Sequence, residues 1–127
     1  MVFYLGLGTL FTHELDAMTS YEWRLIPILR SLPEAMGMTA FLIIHIPLFA
    51  GIIALIASSN DRTRRLSRIA ASWVVLLHAA LPIWFSSNPS YGFVSTISNW
   101  LIFGGAGFGA IYLTLSYNEY RSSKDHW

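Results

Sequence analysis

Residues 37–57 read GMTAFLIIHIPLFAGIIALIA, a stretch with no charged side chain and one ionisable group, His45. A helix needs about 20 apolar residues to cross a hydrocarbon core of about 30 Å, so this segment is predicted to span a bilayer. Two more uncharged stretches follow, Ile69 to Ser87 and Tyr91 to Tyr117. A fourth begins at Met1 and runs uncharged to Thr12 before it meets His13, Glu14 and Asp16. As a span it is the weakest of the four, and it carries the most chemistry. Composition agrees with this pattern. Apolar residues make up 54% of the 127 positions and charged residues 12%, whereas a soluble domain carries about 25% charge. Too few charges remain to coat a water-facing surface. The predicted fold is all-α: one domain, an integral membrane four-helix bundle with spans at about 1–18, 37–57, 69–87 and 91–117. Met1-Val2-Phe3-Tyr4 enters apolar sequence without a basic n-region, so the first helix is expected to be retained.

The connections are read from their polarity. Ser58 to Arg68 forms a short basic loop, Asn88-Pro89-Ser90-Tyr91-Gly92 a turn, and Asn118 to Trp127 a polar tail. Residues 19–36 are predicted to form an amphipathic helix lying at the membrane interface. Thr19 and Glu22 would make its capping box, and Trp23 would sit at headgroup level. Arg62, Arg64, Arg65 and Arg68 in the basic loop, with Arg121 and Lys124 in the tail, outnumber Arg24 and Arg30 on the other side. Lys and Arg accumulate on the cytoplasmic side, which puts both termini in the cytoplasm of a multi-pass protein of the inner (plasma) membrane. Net charge is +1, without the concentrated basic face that nucleic-acid binding requires. The absence of cysteine excludes disulfides, thiolate metal sites and cysteine nucleophiles.

Ionisable groups inside membrane spans are costly and are functional candidates by default. At about 1.5 Å rise per residue, His13, His45 and His78 each lie about 12 Å below the outer face. Three imidazoles from three helices at one depth are what a divalent transition metal, zinc or iron, would need. His13 and Asp16 are spaced i,i+3, so Asp16 is expected on the same face, as a fourth ligand or as the group that orients the His13 ring. Glu14 points about a quarter-turn away. Glu14 and Glu22 are therefore placed only as outer partners of the set, and the capping box already accounts for Glu22. Pro47 and Pro82 follow His45 and His78 closely, and a proline kink would widen the bundle there. The plainer alternative is that the histidines are hydrogen-bonded packing residues and that His126 is solvated in the tail. In the last span, Gly105 with Gly109 and Ala106 with Ala110 form small-xxx-small pairs for close helix packing, within the chain or against a partner.

Read together, His13-Glu14-Leu15-Asp16, Glu22-Trp23, Phe41 to Leu48 with its His-Ile-Pro-Leu, and the lone His78 resemble a pattern. They are similar to a family of small bacterial four-helix membrane proteins of unknown function, over roughly the first two thirds of the chain. The resemblance implies that His13, Glu14, Asp16, Glu22, Trp23, His45 and His78 form the family's signature; it implies no activity. The last span is not part of it.

Three functions compete. The first is a metal-binding membrane protein, extending to a small metalloenzyme that acts on a lipid or quinone-like substrate. The second is an accessory subunit of a respiratory or photosynthetic complex, which would pack against partner membrane subunits or a second copy through the last helix and use its histidines as haem or pigment contacts. The third is a proton relay. The lipid bilayer is the expected surrounding in all three. No nucleophile elbow, P-loop, dinucleotide fingerprint or zincin motif is present, so no reaction is assigned.

Overall fold

A computed structural model describes residues 1–85 and 95–124. Among them every regular element is helical: α1 (Val2–Thr19), a 3₁₀ turn (Glu22–Leu25), α2 (Pro27–Arg30), α3 (Glu34–Ile56), α4 (Asp61–His78), α5 (Leu81–Phe85) and α6 (Thr96–Lys124). Three helical stretches, Glu34–Ile56, Asp61–Phe85 and Thr96–Ser122, are long and apolar enough to cross a membrane. Leu42, Ile43, Ile46, Trp84, Trp100 and Phe103 are exposed on them. Apolar side chains on the outside suit a lipid surrounding.

α1 is not among those three, because His13, Glu14 and Asp16 lower its apolar character. It lies against α6 and α4 and buries Phe3, Gly6, Leu7, Leu10, His13 and Ala17, a stripe at helical spacing. Its opposite side, with Tyr4, Leu5 and Leu15, is exposed, while His13 is turned into the protein, where membrane proteins tolerate polar groups.

The helices alternate in direction. Arg68 donates to the Ile56 carbonyl at the end of α3 (3.3 Å) and to the Tyr4 hydroxyl at the start of α1 (3.0 Å). The Arg65 guanidinium sits 5.3 Å from the Tyr120 ring centre near the end of α6. The start of α1, the end of α3, the start of α4 and the end of α6 therefore share one end of the bundle. The basic segment there is not a loop throughout: helix α4 starts at Asp61, and the Asn60 side chain caps it by accepting from the Thr63 N–H (3.0 Å). Its arginines are thus the first turns of a membrane-length helix.

The small-residue face of α6 is used inside the chain. A Cβ on Gly109 would stand 2.8 Å from the Ser72 carbonyl oxygen of α4, and one on Gly105 would stand 2.8 Å from the Thr9 hydroxyl of α1. Ala106 is buried and Ala110 half-buried on the same helix.

Residues 19–36 do not form one interfacial helix. Thr19 closes α1 by donating its hydroxyl to the Asp16 carbonyl (2.8 Å), so the Thr19–Glu22 capping box does not form. Tyr21 then adopts a left-handed conformation (φ 56°) that turns the chain, and Ile26 is extended ahead of Pro27. The segment folds back as the 3₁₀ turn and the single-turn α2. Trp23 is 3% exposed, packed with Ala17, Phe41 and Ile102 rather than lying at headgroup level. Arg24 pairs with Glu34 across the turn. Gly37 makes this possible, since a Cβ there would meet the Leu29 carbonyl and the Trp23 ring, each at 2.8 Å. Gly37→Ala is expected to cost about 1–3 kcal/mol by overpacking. Thermal unfolding in detergent checks this, and an unchanged midpoint would show that Trp23 has room to move.

The third predicted span is interrupted rather than kinked. After His78, Ala79 and Ala80 donate to Leu76 (3.2 Å) and Leu77 (2.9 Å), three residues back, and α5 restarts with Pro82 in its first turn. Helix α6 starts at Thr96, with Ser95 capping it by accepting from the Ser98 N–H (3.0 Å). The predicted turn at 88–92 and His126 lie outside the described residues.

Candidate metal centre

The end of the bundle away from the arginines holds the ionisable groups. α1 contributes His13, Glu14 and Asp16, α3 contributes His45, and the last residue of α4 is His78. The three histidines are gathered there, and the carboxylate between them belongs to Glu14. Its Oε2 lies 3.0 Å from His45 Nε2 and its Oε1 3.7 Å from His78 Nε2. The His13 and His78 rings meet edge to face, with centroids 5.6 Å apart. His13, Glu14 and His78 each offer one ligand atom, and all three atoms lie within 4.8 Å of one another. Ligands about 2.1 Å from a tetrahedral zinc stand about 3.4 Å apart, so modest side-chain rotation would close the group onto an ion.

The hydrogen bonds fix which ring nitrogen faces inward. His45 Nδ1 lies 2.6 Å from the Phe41 carbonyl oxygen and His78 Nδ1 lies 3.0 Å from that of Val74. A carbonyl only accepts, so Nδ1 carries the hydrogen in both rings, and in a neutral imidazole Nε2 is then a lone pair. Both Nε2 atoms are directed at Glu14. A lone pair facing a carboxylate oxygen is favourable only with a proton or a metal cation between them. Phe41, tilted at 58° to the His45 ring with centroids 4.4 Å apart, and Phe49, edge-on at 5.3 Å, hold that ring in place.

The expected roles of the two α1 carboxylates are reversed. Asp16 turns toward α6, where it accepts a hydrogen bond from the fully buried Ser98 hydroxyl. It ties α1 to the start of α6 and lies outside the three-residue group. Glu14, expected a quarter-turn from the set, is at its centre. Adjacent residues diverge by about 100° on a helix, but His78 approaches α1 between the directions of His13 and Glu14 and reaches both. Spacing along α1 cannot show from which side a neighbouring helix arrives.

Glu14, His45 and His78 also line a cavity of about 570 Å³ with Glu22, under the 3₁₀ turn and α2. No cue in the sequence assigned Glu22 to this chamber, since the capping box accounted for it. Burial, reinforced by the nearby Glu14 charge, pushes the Glu22 carboxyl up to about 7; His78 and His45 oppose the shift and Asp16 adds to it. The sign follows from linkage. Below pH 4.5 the group is protonated in both the folded and unfolded chain, and its contribution is fully present. As pH rises from 4.5 to about 7 the unfolded chain ionises first and stability is lost. Glu22→Gln, which cannot ionise, is expected to match the parent at pH 4.5 and to exceed it by about 3 kcal/mol at pH 8. Unfolding curves at the two pH values test this, and an equal gap at both would show that Glu22 titrates normally.

The chain belongs to a family of unknown function, DUF6713, whose pattern covers residues 1–119. That span takes in α6 almost to its end, beyond the first two thirds on which the resemblance rested. No curated protein and no solved structure matches the chain.

Proposed function

We propose that this member of a family of unknown function is a four-pass membrane protein. In this reading it binds a divalent transition metal, zinc or iron, through His13, Glu14 and His78, with His45 orienting Glu14. The observation that carries this reading is the set of three ligand atoms from two helices within 4.8 Å of one another. Three protein ligands with a position left over is the layout of a catalytic rather than a structural zinc site, and a two-histidine, one-carboxylate set also suits non-haem iron. Two of the ligands, Glu14 and His78, line the cavity, so a substrate there would lie beside the ion. Four passes are supported by the alternating helix directions, with α1 as the pass that carries His13, Glu14 and Asp16. The arginine-rich end would face the cytoplasm, and both termini would lie with it, in the plasma membrane.

The test is elemental analysis of the detergent-solubilised protein. About one zinc or iron per chain is expected, and a metal-free, correctly folded protein would sink the reading. A second reading is favoured by one contact, the 3.0 Å approach of His45 Nε2 to Glu14. There the cation between them is a proton, and the cluster passes it between His45, Glu14 and His78. Proton uptake by reconstituted vesicles that Glu14→Gln abolishes, in metal-free protein, would establish this second reading in place of the first.

A further inference from the structure

From the cavity between α1, α2, α3, α4 and α5 we infer a binding site for a single-chain membrane lipid with an uncharged, oxygen-bearing head, a hydroxyl or a carbonyl. This deepens the metal-site reading by naming the class of molecule that would lie beside Glu14 and His78, but its physical basis is separate. The volume, about 570 Å³, falls in the range of about 300–1,000 Å³ typical of small-molecule sites. Its surface is divided. The polar side chains Glu14, Glu22, His45 and His78 form one cluster, while Leu25, Leu29, Ile44, Leu48, Leu81 and Phe85 make the rest of the wall apolar. A molecule that satisfies both parts has a short polar head and a hydrocarbon body.

The charges select the head. Two carboxylates stand in the polar cluster, and no lysine or arginine is among the described lining residues. A phosphate or carboxylate head would face the two glutamates with no lysine or arginine in the described lining to offset them. A hydroxyl can donate to a carboxylate oxygen of the cluster, and a hydroxyl or carbonyl oxygen can accept from a carboxyl there that carries its proton. Access favours a lipid over a solute from water. Ile44 and Leu48, on the cavity side of α3, are 59% and 49% exposed, on a helix of membrane length, so a chain dissolved in the bilayer can enter without crossing water.

The experiment is photolabelling of the full-length protein in detergent with a long-chain primary alcohol that carries a mid-chain diazirine, mapped by mass spectrometry. Adducts are expected at the lining residues Leu25, Leu29, Ile44, Leu48, Leu81 and Phe85. The unlabelled alcohol should compete, and neither the fatty acid of equal length nor phosphatidylglycerol should. Leu48→Trp fills the cavity from an exposed position, so the fold survives, as an unchanged melting midpoint will verify. It is expected to cut labelling about tenfold. Adducts spread evenly over exposed residues such as Ile43, Ile46 and Ile53 would overturn the proposal. So would labelling indifferent to Leu48→Trp, or a fatty acid that displaces the alcohol. The two readings fail separately. Localised labelling of a protein found to hold no metal leaves the lipid site standing without its ion. Stoichiometric metal with unlocalised labelling removes the lipid site alone.

Discussion

On the proposed metal-site reading, Glu14→Gln is expected to abolish metal binding while the bundle stays folded. The amide keeps the shape of the carboxyl group but loses the anionic oxygen that a divalent ion needs. Glu14 also meets both His45 and His78, so a single substitution disconnects two histidines. Loss of a partner that merely orients a ligand costs about 10–100-fold in metal affinity. His45→Ala is expected in that range, and Glu14→Gln beyond it. Asp16→Asn provides the contrast. Its carboxylate is engaged by Ser98, so the variant should keep its metal and lose only part of the α1–α6 contact. Metal titration of the three purified variants measures all of this. If Asp16→Asn released the ion and Glu14→Gln did not, Asp16 would be the ligand, as the i,i+3 spacing with His13 suggests, and the centre described here would be wrong.

The second large effect is on the fold. Gly109→Leu is expected to prevent stable assembly of α4 against α6. Even a single Cβ at Gly109 would stand 2.8 Å from the Ser72 carbonyl oxygen and 3.6 Å from the Leu76 nitrogen. These are backbone atoms and cannot swing aside as a side-chain end can. Overpacking of this kind costs about 1–3 kcal/mol for a small excess of volume and more for a large one, so Gly109→Ala should destabilise measurably and Gly109→Leu severely. Gly104 and Gly107 on the same helix have open space where a Cβ would go. Alanine there should be neutral or stabilising by about 0.5–1 kcal/mol, through the better helix propensity of alanine. Size-exclusion profiles and melting curves in detergent would read out the series. A Gly109→Leu protein as stable as Gly107→Ala would mean that the α4–α6 contact is not as close as described.

The accessory-subunit reading drew on the same small-residue face. Gly105 and Gly109 are packed against α1 and α4, so these two small residues are used within the chain.

What the sequence determined by itself was what depends on local composition and order. The uncharged stretches that begin at Gly37, Ile69 and Tyr91 have no charges of their own to cover them, and the three membrane-length helical stretches among the described residues fall on them. Depth counted from the rise per residue was enough to bring His13, His45 and His78 to one level, because distance along a helix axis is a property of the chain alone. Rotation about the axis is not. Which of Glu14 and Asp16 enters the centre depends on where α4 and α6 stand around α1, and a shift of one residue turns a side chain by about 100°. The same holds for the small residues of α6, whose neighbours are chosen by packing, and for residues 19–36. There the helical pattern gave way to a fold-back that Tyr21, Pro27, Pro33 and Gly37 permit and that burial of Trp23 makes favourable. Only the tertiary structure could decide these, because each depends on the direction from which a second segment arrives.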